Sequence, residues 1–566
     1  MREMGRRRLK TSRCKMFQLA LVLCVAMTSP VHADARNNRP PTAVTAQGTV
    51  AGILVDGLKL FRGIPYAQPP VGARRWKAPG PPDTWQGLRD ATDFGPSCVQ
   101  PLSETASIYA DNPASMSEDC LTLNIWAPKD AANAPVIVWI FGGALQRGQS
   151  ASPLYDGATY AHRGVVFVSI NYRLGVLGWL AHPALSAESP DRVSGNYGLL
   201  DQIQALRWVQ QNIAAFGGDP GNVTIMGESA GALSVAYLLA SPGARGLFHK
   251  AIAESPNIRP FPMLDRSIYG LPSAEQTGLA FAAHVGAADL PALRAMDAID
   301  LTKASIEARF WPQGTVDGKV LPGQLVDIFD AGEQAHVPLL AGFNGGEIRS
   351  QRVFLPPAPA SAVSYEAEIR HRYRDLAPAF LKVYPSTDIA GSMLATLRDA
   401  IYGWAAERMV RRQSEAGQPA FLYIFDRCYP AAASQDLCGF HASELPFVFG
   451  HVGKQTWLPP NWPRPDDTVD QSLSDAMIDY WTGFAKTGVP AHAGLPHWQA
   501  YSDGEAFMRF GDEAIPGKNP VPGMFELQEE VVARRRAANQ PWFINVGVAA
   551  PVIPDSSDTV SGQEPQ

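Results

Sequence analysis

The chain has 566 residues, of which 46% are hydrophobic and 18% charged, and its formal net charge is -6 at neutral pH. This composition is typical of a globular protein with a large apolar core, and α/β chains of this length are often single domains. The mild acidity argues against a nucleic-acid-binding surface, which would be basic, and the lack of a fixed repeat argues against solenoids and propellers.

The N-terminal residues have the layout of an export signal. A basic segment at 6–10 precedes the apolar run MFQLALVLCVAM, and the sequence VHA at 31–33 offers a cleavage site. The apolar run is too short for a comfortable membrane span. We therefore predict a signal peptide over residues 1–33 with cleavage after Ala33, a secreted or periplasmic protein, and no membrane anchor.

Four cysteines follow the predicted signal peptide, and their even number in an exported chain predicts disulfides. Four cysteines allow three pairings, of which pairing between sequence neighbours is the simplest. Buried unpaired thiols are the alternative. A metal site is less favoured because the sequence has no CxxC or His-x-His cluster, and we expect no cofactor. The four residues are Cys98, Cys120, Cys428 and Cys438.

Short apolar runs alternate with helical patterns along the chain. The runs are VIVWI (136–140), VVFVSI (165–170), VTIM (223–226), KAIA (250–253), VPLLAG (337–342) and FLYIF (421–425). They lack the alternation of a half-exposed strand, which predicts a mostly parallel sheet covered on both faces. The predicted fold class is α/β, with one domain over residues 34–546. A Pro/Ser/Asp-rich tail over 547–566 is predicted to be disordered.

The strongest local motif is GESAG at 227–231, between a β-prone run and an alanine-rich helical segment. A strand-to-helix turn this tight needs Gly227 and Gly231, where a Cβ would collide. Such a turn exposes the Ser229 hydroxyl and directs the Ala230 N–H towards a developing oxyanion. Ser229 is therefore predicted to be a catalytic nucleophile.

A catalytic serine needs a base, and the base needs an orienting acid. With a nucleophile on this kind of turn, the chain order is serine, acid, histidine. His441 follows the FLYIF run through a loop and is the predicted base, since bases lie beyond the carboxyl ends of strands. Glu347, on a glycine-rich turn after VPLLAG, is the predicted acid. Asp317 is the alternative acid, although its DGK sequence is typical of a simple turn.

Motifs over nearly the whole mature chain resemble the type-B carboxylesterase family, the cholinesterase-like branch of the α/β-hydrolases. They are FRGIPYAQPPVG (61–72), SEDCLTLNIWAP (117–128), NYRLGVLGWL (171–180), the segment 195–231 that ends in GESAG, GFHASELPFVFG (439–450) and YWTGFAKTGVP (480–490). The resemblance implies an α/β-hydrolase fold with long loops over an active-site gorge. It implies hydrolysis of a small-molecule carboxylic ester by Ser229, Glu347 and His441 through an acyl-enzyme. It also implies a disulfide between Cys98 and Cys120, whereas the second pairing rests on spacing alone.

The same resemblance assigns a role to the glycines after the VIVWI run. The oxyanion loop of the family matches residues 141–144, so the N–H groups of Gly143 and Ala144 are expected to join that of Ala230 as three donors. Two departures stand out: Phe141 replaces a polar or phenolic residue, and LQR at 145–147 replaces the usual aromatic.

Several loop arginines near these motifs leave two interpretations open. They are solvated or salt-bridged, or two or more converge on a carboxylate of the ester substrate, with Phe310 and Trp311 as an apolar wall. Such a pocket, like the segment 182–201, resembles the bacterial fumonisin esterases of this family, which release tricarballylic acid. The arginines are Arg147, Arg259, Arg309, Arg349 and Arg352.

Two other functions compete with a secreted serine carboxylesterase. The family includes adhesion proteins that have lost the catalytic serine or histidine, but both residues are present here. An amidase or peptidase using the same three residues is the second alternative. The sequence predicts no nucleic-acid partner and favours no particular oligomeric state.

Overall fold

A central sheet of eleven strands organises residues 40–554, the part of the chain that the computed structural model describes. The predicted signal peptide and its cleavage site lie outside these residues. The strands are Thr42–Val44 (β1), Thr49–Ala51 (β2), Ile53–Val55 (β3), Leu58–Pro65 (β4), Leu88–Asp90 (β5), Ser97–Cys98 (β6), Met116–Ser117 (β7), Thr122–Pro128 (β8), Ala134–Ile140 (β9), Val166–Ile170 (β10), Gly218–Glu228 (β11), Lys250–Glu254 (β12), Leu339–Asn344 (β13), Ala420–Phe425 (β14), Ala506–Phe510 (β15) and Ala514–Lys518 (β16).

The strand order in the central sheet is β16-β15-β14-β13-β12-β11-β9-β10-β8-β4-β3. Neighbours from β15 to β10 pair in parallel, while β16, β8, β4 and β3 pair antiparallel at the two edges. Each of the six apolar runs forms one of the central strands, so the predicted α/β fold class is confirmed. Two small sheets, β1-β2-β5 and β6-β7, lie outside the central one.

Helices connect the strands and cover the sheet. The helices are Ala158–His162 (α1), Gly175–Trp179 (α2), Pro183–Glu188 (α3), Tyr197–Asn212 (α4), Ala230–Ala240 (α5), Ala274–His284 (α6), Leu290–Ala295 (α7), Ala298–Glu307 (α8), Leu325–Asp330 (α9), Ala362–Tyr373 (α10), Ala377–Val383 (α11), Ile389–Arg398 (α12), Trp404–Glu415 (α13), Pro430–Ala433 (α14), Leu445–Val448 (α15), Thr468–Thr487 (α16) and Met524–Ala537 (α17). Within residues 40–554, none of them combines the length and apolar character needed to cross a membrane.

Alternate residues of β9 enter two different hydrophobic cores. Val136, Val138 and Ile140 pack in the core that contains residues of α4, α5 and α13. Ile137 and Trp139 pack in the core that contains residues of α1 and α16. Because successive strand residues point to opposite faces, both faces of the sheet are covered, as the uninterrupted apolar runs predict.

The C-terminal residues continue to pack after α17. Ala550 and Ile553 are fully buried in a core with residues of α10 and α11, and the Ile553 N–H donates to the Arg372 carbonyl at 2.8 Å. Apolar residues in the first part of the predicted tail, 547–554, therefore have packing partners in the fold. Residues 555–566 lie outside the described part of the chain.

Two disulfides close loops on the side of the sheet where its central strands end. The structure joins Cys98 to Cys120 and Cys428 to Cys438, which is the pairing between sequence neighbours. The second bridge lies in the loop between β14 and His441. There the Gly346 N–H donates to the Gly439 carbonyl at 2.9 Å, which ties the His441 loop to the turn that carries Glu347.

Candidate active site

The polar residues singled out in the sequence meet at the carboxyl edge of the parallel strands. Ser229 follows β11, Glu347 lies beyond β13, His441 is on the loop after β14, and the glycines 142–143 follow β9. Parallel strands end at the same edge of a sheet, where open α/β folds build their sites. Residues separated by up to 212 positions along the chain are thereby brought into contact.

The turn at Ser229 is strained and tightly packed. Ser229 has φ 55° and ψ -118°, a conformation that L-residues rarely adopt, and its N–H donates to the Glu254 carbonyl at 2.8 Å. A Cβ on Gly231 would lie 2.0 Å from the Ile140 carbonyl oxygen. A Cβ on Gly227 would lie 2.6 Å from the Gly231 carbonyl carbon. The two glycines allow the close approach of β9, β11 and α5 that holds the serine in this conformation.

A continuous chain of hydrogen bonds joins Ser229, His441 and Glu347. His441 Nε2 lies 2.8 Å from Ser229 Oγ, and His441 Nδ1 lies 2.5 Å from Glu347 Oε2. The second Glu347 oxygen, Oε1, accepts from Ser255 Oγ at 2.6 Å and from the Asn344 N–H at 2.9 Å. These donors fix the fully buried carboxylate and leave Oε2 to orient the imidazole.

Asp317, the alternative acid in the sequence analysis, has a structural role instead. Its Oδ1 accepts the backbone N–H groups of Lys319, Val320 and Leu321, and its Oδ2 accepts from the Asn196 amide at 2.9 Å. It therefore stabilises a turn, as its DGK sequence indicates, and Glu347 is the carboxylate that faces His441.

Buried carboxyl groups near the imidazole add an electrostatic feature that the sequence reading missed. Glu228 Oε1 lies 3.3 Å from His441 Nε2, and burial raises the pKa of Glu228 to about 8. Burial alone would lower the pKa of His441, but the Glu347 and Glu228 carboxylates outweigh that effect and raise it above its usual value. The site therefore favours the imidazolium, the form that arises when the base takes a proton. Glu228 immediately precedes the serine in GESAG, so the sequence alone indicates a carboxyl group beside the nucleophile.

Tyrosines on two sides hold His441 in place. The Tyr402 ring stacks on the imidazole with centroids 4.9 Å apart, and its hydroxyl donates to Gln351 Oε1 at 2.9 Å. The Tyr109 hydroxyl donates to the His441 carbonyl at 2.8 Å. Both the ring and the backbone of the histidine are thus positioned by neighbours from other parts of the chain.

The loop after β9 approaches the serine through its glycines. A Cβ on Gly142 would lie 2.8 Å from the Glu228 carbonyl oxygen and 3.1 Å from Ser229 Cβ, and one on Gly143 (φ 95°) would lie 2.2 Å from the Arg147 carbonyl oxygen. Ala144 also has a positive φ, of 58°. The N–H groups of Gly143, Ala144 and Ala230 donate to no acceptor among residues 40–554. This geometry leaves three donors near Ser229 available for an external oxygen.

Phe141, a departure from the family pattern, has a structural partner. Its ring stacks on Tyr172 with centroids 4.6 Å apart, and the Tyr172 hydroxyl donates to the Phe141 carbonyl at 2.8 Å. Phe141 is fully buried. These two contacts with Tyr172 fix the first residue of the loop and leave the backbone of residues 142–144 facing the serine.

Two cavities meet at Ser229. The first, here called the His441 cavity, has a volume of about 330 Å³ and is lined by His441, Glu228, Arg147, Tyr109 and Trp462 among others. The second, the Arg259 cavity, has a volume of about 510 Å³ and is lined by Arg259, Trp311, Phe354, Tyr402, Trp542 and Phe543 among others. Ala144, Ser229 and Gln351 line both cavities. Substrate space therefore extends to both sides of the serine.

The five candidate arginines divide between the two interpretations. Arg349 and Arg352 both form ion pairs with Asp436, and exposed Arg309 lines neither cavity. Arg147 lines the His441 cavity and donates to Ser103 Oγ at 3.2 Å, while Arg259 lines the other cavity together with Trp311. Among the described residues, each of the two cavities is lined by one arginine rather than by several. Phe310 is buried against Phe281 in a separate core and is not part of the wall.

One wall of the Arg259 cavity comes from a segment for which the sequence suggested no role. Residues 541–545, which follow α17, line the cavity. The Trp542 indole N–H donates to the Ile258 carbonyl at 3.2 Å, so this segment is attached to the loop that carries Arg259.

Within residues 40–554 no group of His, Cys, Asp or Glu side chains is arranged to hold a metal ion.

Comparisons with known proteins agree on one family. A model of the carboxylesterase family matches residues 39–520. The chain is 37% identical over 492 residues to a fumonisin B1 esterase of Sphingopyxis macrogoltabida, covering 84% of this chain and 87% of the relative. It is 37% identical over 474 residues to a para-nitrobenzyl esterase of Bacillus subtilis, covering 81% and 92%. A solved structure of a PNB esterase superposes with a TM-score of 0.73 at 33% identity, covering 86% of this chain and 99% of that one.

Proposed function

The chain belongs to the carboxylesterase family of carboxylic ester hydrolases and has the α/β-hydrolase fold, and on this premise we propose that Ser229, His441 and Glu347 are its catalytic triad. One observation carries the proposal: the hydrogen-bonded chain from Glu347 through His441 to Ser229, with distances of 2.5 and 2.8 Å, on a turn that strains the serine. The complete triad argues against the non-catalytic binding protein. The relatives named above are esterases, which favours an ester over an amide or peptide.

In the first half of the reaction, Ser229 Oγ attacks the ester carbonyl carbon while its proton passes to His441 Nε2. The negative charge that develops on the carbonyl oxygen is stabilised by the N–H groups of Gly143, Ala144 and Ala230. Glu347 stabilises the imidazolium and keeps its Nδ1–H oriented. The tetrahedral intermediate collapses when the imidazolium gives its proton to the leaving alcohol, and an acyl-enzyme on Ser229 remains.

In the second half, water takes the place of the alcohol. His441 accepts a proton from the water as its oxygen attacks the acyl carbon, and the same three N–H groups stabilise the second oxyanion. Return of the proton to Ser229 Oγ releases the carboxylic acid and restores the resting triad. One ester and one water are consumed, and one acid and one alcohol are formed.

The proposed substrates include esters whose acyl group carries a further carboxylate, such as fumonisin-type tricarballylate esters. Two observations support this class. The chain is 37% identical to a fumonisin B1 esterase. Arg259 lines a cavity at Ser229, and among residues 40–554 no Asp or Glu forms an ion pair with it. We also propose that the protein is exported, because disulfides such as Cys98–Cys120 and Cys428–Cys438 persist in oxidising compartments.

The Ser229→Ala variant tests this function. We expect kcat for p-nitrophenyl butyrate to fall by about 10⁴-fold or more, because no other group can form the acyl-enzyme. Ser472→Ala, which removes an exposed hydroxyl from α16, is the matched control and should retain the wild-type rate. Mass spectrometry after rapid acid quench should detect the acyl group on Ser229 of the wild type. Turnover that survives in Ser229→Ala would show that the nucleophile is a different group.

A further inference from the structure

The position of His441 determines which side of the ester each cavity receives. His441 lines the His441 cavity and not the Arg259 cavity. In the mechanism proposed above, on which this inference rests, the imidazolium gives its proton to the leaving alcohol. The alcohol must therefore depart beside His441. The acyl group, which stays on Ser229, then extends into the Arg259 cavity.

Arg259 is a buried cation on the wall of that acyl-side cavity. It is only 9% exposed, and its guanidinium lies 5.8 Å from the ring centroid of Phe261 and 5.6 Å from that of Phe543. The Tyr237 hydroxyl is its polar neighbour. Among residues 40–554 no Asp or Glu forms an ion pair with it, and its Nε has no hydrogen-bond acceptor. Burial also lowers the pKa of this guanidinium.

Other buried arginines have carboxylate or carbonyl acceptors within the fold, although each of the three described next also has a guanidinium nitrogen without an acceptor. Arg173 makes two hydrogen bonds of 2.7 Å to Asp201, Arg408 pairs with Asp330, and Arg535 donates to the carbonyls of Pro541 and Pro551. A buried cation without a counter-charge is costly to the folded state. Arg259 differs from these three because it faces a cavity that also contains the nucleophile. An anionic ligand in the cavity would recover the lost electrostatic energy.

The rest of the cavity suits an apolar spacer. Its walls include the aromatic side chains of Trp311, Phe354, Tyr402, Trp542 and Phe543. Trp542 and Phe543 come from the segment 541–545, which lies beyond residue 520, where the match to the family model ends. This segment is held by the Trp542–Ile258 hydrogen bond and by Arg535. The cation therefore lies on a loop after β12, and part of the wall beside it comes from the segment after α17.

We propose that Arg259 binds a carboxylate at the distal end of the acyl group, so that the protein selects half-esters of dicarboxylic or polycarboxylic acids with an apolar spacer. A guanidinium can hold one carboxylate through two parallel charge-assisted hydrogen bonds. Burial of the guanidinium beside the rings of Phe261 and Phe543 lowers the local dielectric, which strengthens such a pair. The reaction is unchanged: the half-ester is hydrolysed to a dicarboxylic acid and an alcohol.

Matched pairs of esters test the proposal. The monobutyl esters of succinic, glutaric, adipic and suberic acids are compared with butyl esters of monocarboxylic acids of the same chain length. We expect the wild type to prefer at least one half-ester over its neutral analogue in kcat/KM. Arg259→Gln should lower kcat/KM for that half-ester by about 10- to 100-fold and for the neutral ester by less than about 3-fold.

Two further variants complete the design. Arg309→Gln removes the same charge from an exposed site that lines neither cavity, and it should change neither rate. Arg259→Lys keeps the charge but loses the two-pronged geometry, so we expect a several-fold loss confined to the half-ester. If Arg259→Gln does not fold, Arg259→Lys decides the question.

Equal losses on both esters in Arg259→Gln, a wild-type preference in Arg259→Lys, or a wild type that prefers no half-ester would overturn the carboxylate subsite. In that case hydrolysis of the neutral butyl esters, abolished in Ser229→Ala, would leave the proposed catalytic function intact. Hydrolysis that persists in Ser229→Ala would instead contradict the catalytic function itself.

Discussion

The two cavities that meet at Ser229 each contain one arginine, but they surround it differently. Arg147 is half-buried and shares its wall with polar side chains such as Ser103, Asp111 and Gln149. Arg259 is almost fully buried between aromatic rings. Water and salt weaken the attraction between a charge and its ligand in the first setting much more than in the second. The same residue type beside the same nucleophile is therefore expected to contribute unequally to substrate choice.

The largest expected effect comes from a change in the proposed catalytic triad, which serves both cavities. Glu347→Gln should lower kcat/KM by about 10⁴-fold, because an amide at this position favours the wrong tautomer of His441. Neutral butyl esters and the corresponding half-esters should lose activity by the same factor, since one triad serves both cavities. The measurement is steady-state kinetics on the two ester series.

The matched control for Glu347→Gln is Asp317→Asn, which alters the alternative acid. Asparagine retains an oxygen for the N–H groups of Lys319, Val320 and Leu321, so activity should stay within about 3-fold of the wild type. A loss in Glu347→Gln that differs strongly between the two ester series would mean that the two cavities do not share one triad.

An intermediate effect is expected from Glu228, which lines the His441 cavity but not the Arg259 cavity. Its carboxylate is one of the groups that raise the pKa of His441. Removing that negative charge in Glu228→Gln should lower this pKa, so the neutral base persists to lower pH. The acidic limb of the kcat/KM profile should move down by about one pH unit, which raises the rate about tenfold well below the limb. Half-esters and neutral esters should shift together because the limb belongs to the shared histidine.

Glu254→Gln provides the control for this profile. Glu254 is also a fully buried carboxyl group, but it accepts from the Trp481 indole N–H at 2.6 Å and is not among the main groups that raise the pKa of His441. The acidic limb should stay in place in this variant. An unmoved limb in Glu228→Gln would show that the Glu228 carboxyl group does not supply the negative charge that raises the pKa of His441.

The catalytic centre was more predictable from the sequence than the pockets around it. Ser229, Glu347 and His441 each lie next to a local pattern, either the tight GESAG turn or the end of an apolar strand. The fold brings them together by the general rule that parallel strands end at one edge. Local patterns of this kind survive in the one-dimensional sequence because a few neighbouring residues dictate the backbone conformation.

The roles of the arginines depend on contacts that are remote in sequence. Asp436, which neutralises Arg349 and Arg352, lies 87 and 84 positions further along the chain. The aromatic residues Trp542 and Phe543 reach the Arg259 cavity from beyond α17, in a segment with neither helix nor strand. No periodicity marks such pairings, because ion pairs and cavity walls are fixed by tertiary packing rather than by the local backbone.

The smallest expected effect, and the sharpest test of the contrast between the cavities, comes from Arg147. Because this guanidinium is half-buried, Arg147→Gln should lower kcat/KM about 3-fold for an ester with a carboxylate on its alcohol side, such as 4-butanoyloxybutanoate, measured at low ionic strength. The loss should disappear at about 0.5 M salt, where exposed charges are screened within a few ångströms. The loss in Arg259→Gln on a half-ester should persist at that salt concentration, because salt screens a buried charge much less than an exposed one. Pentyl butanoate, which lacks the carboxylate, is the control for Arg147→Gln and should show no change. Equal salt dependence of the two arginine variants would mean that burial does not distinguish the cavities, and the assignment of Arg259 as the selective residue would lose its physical basis.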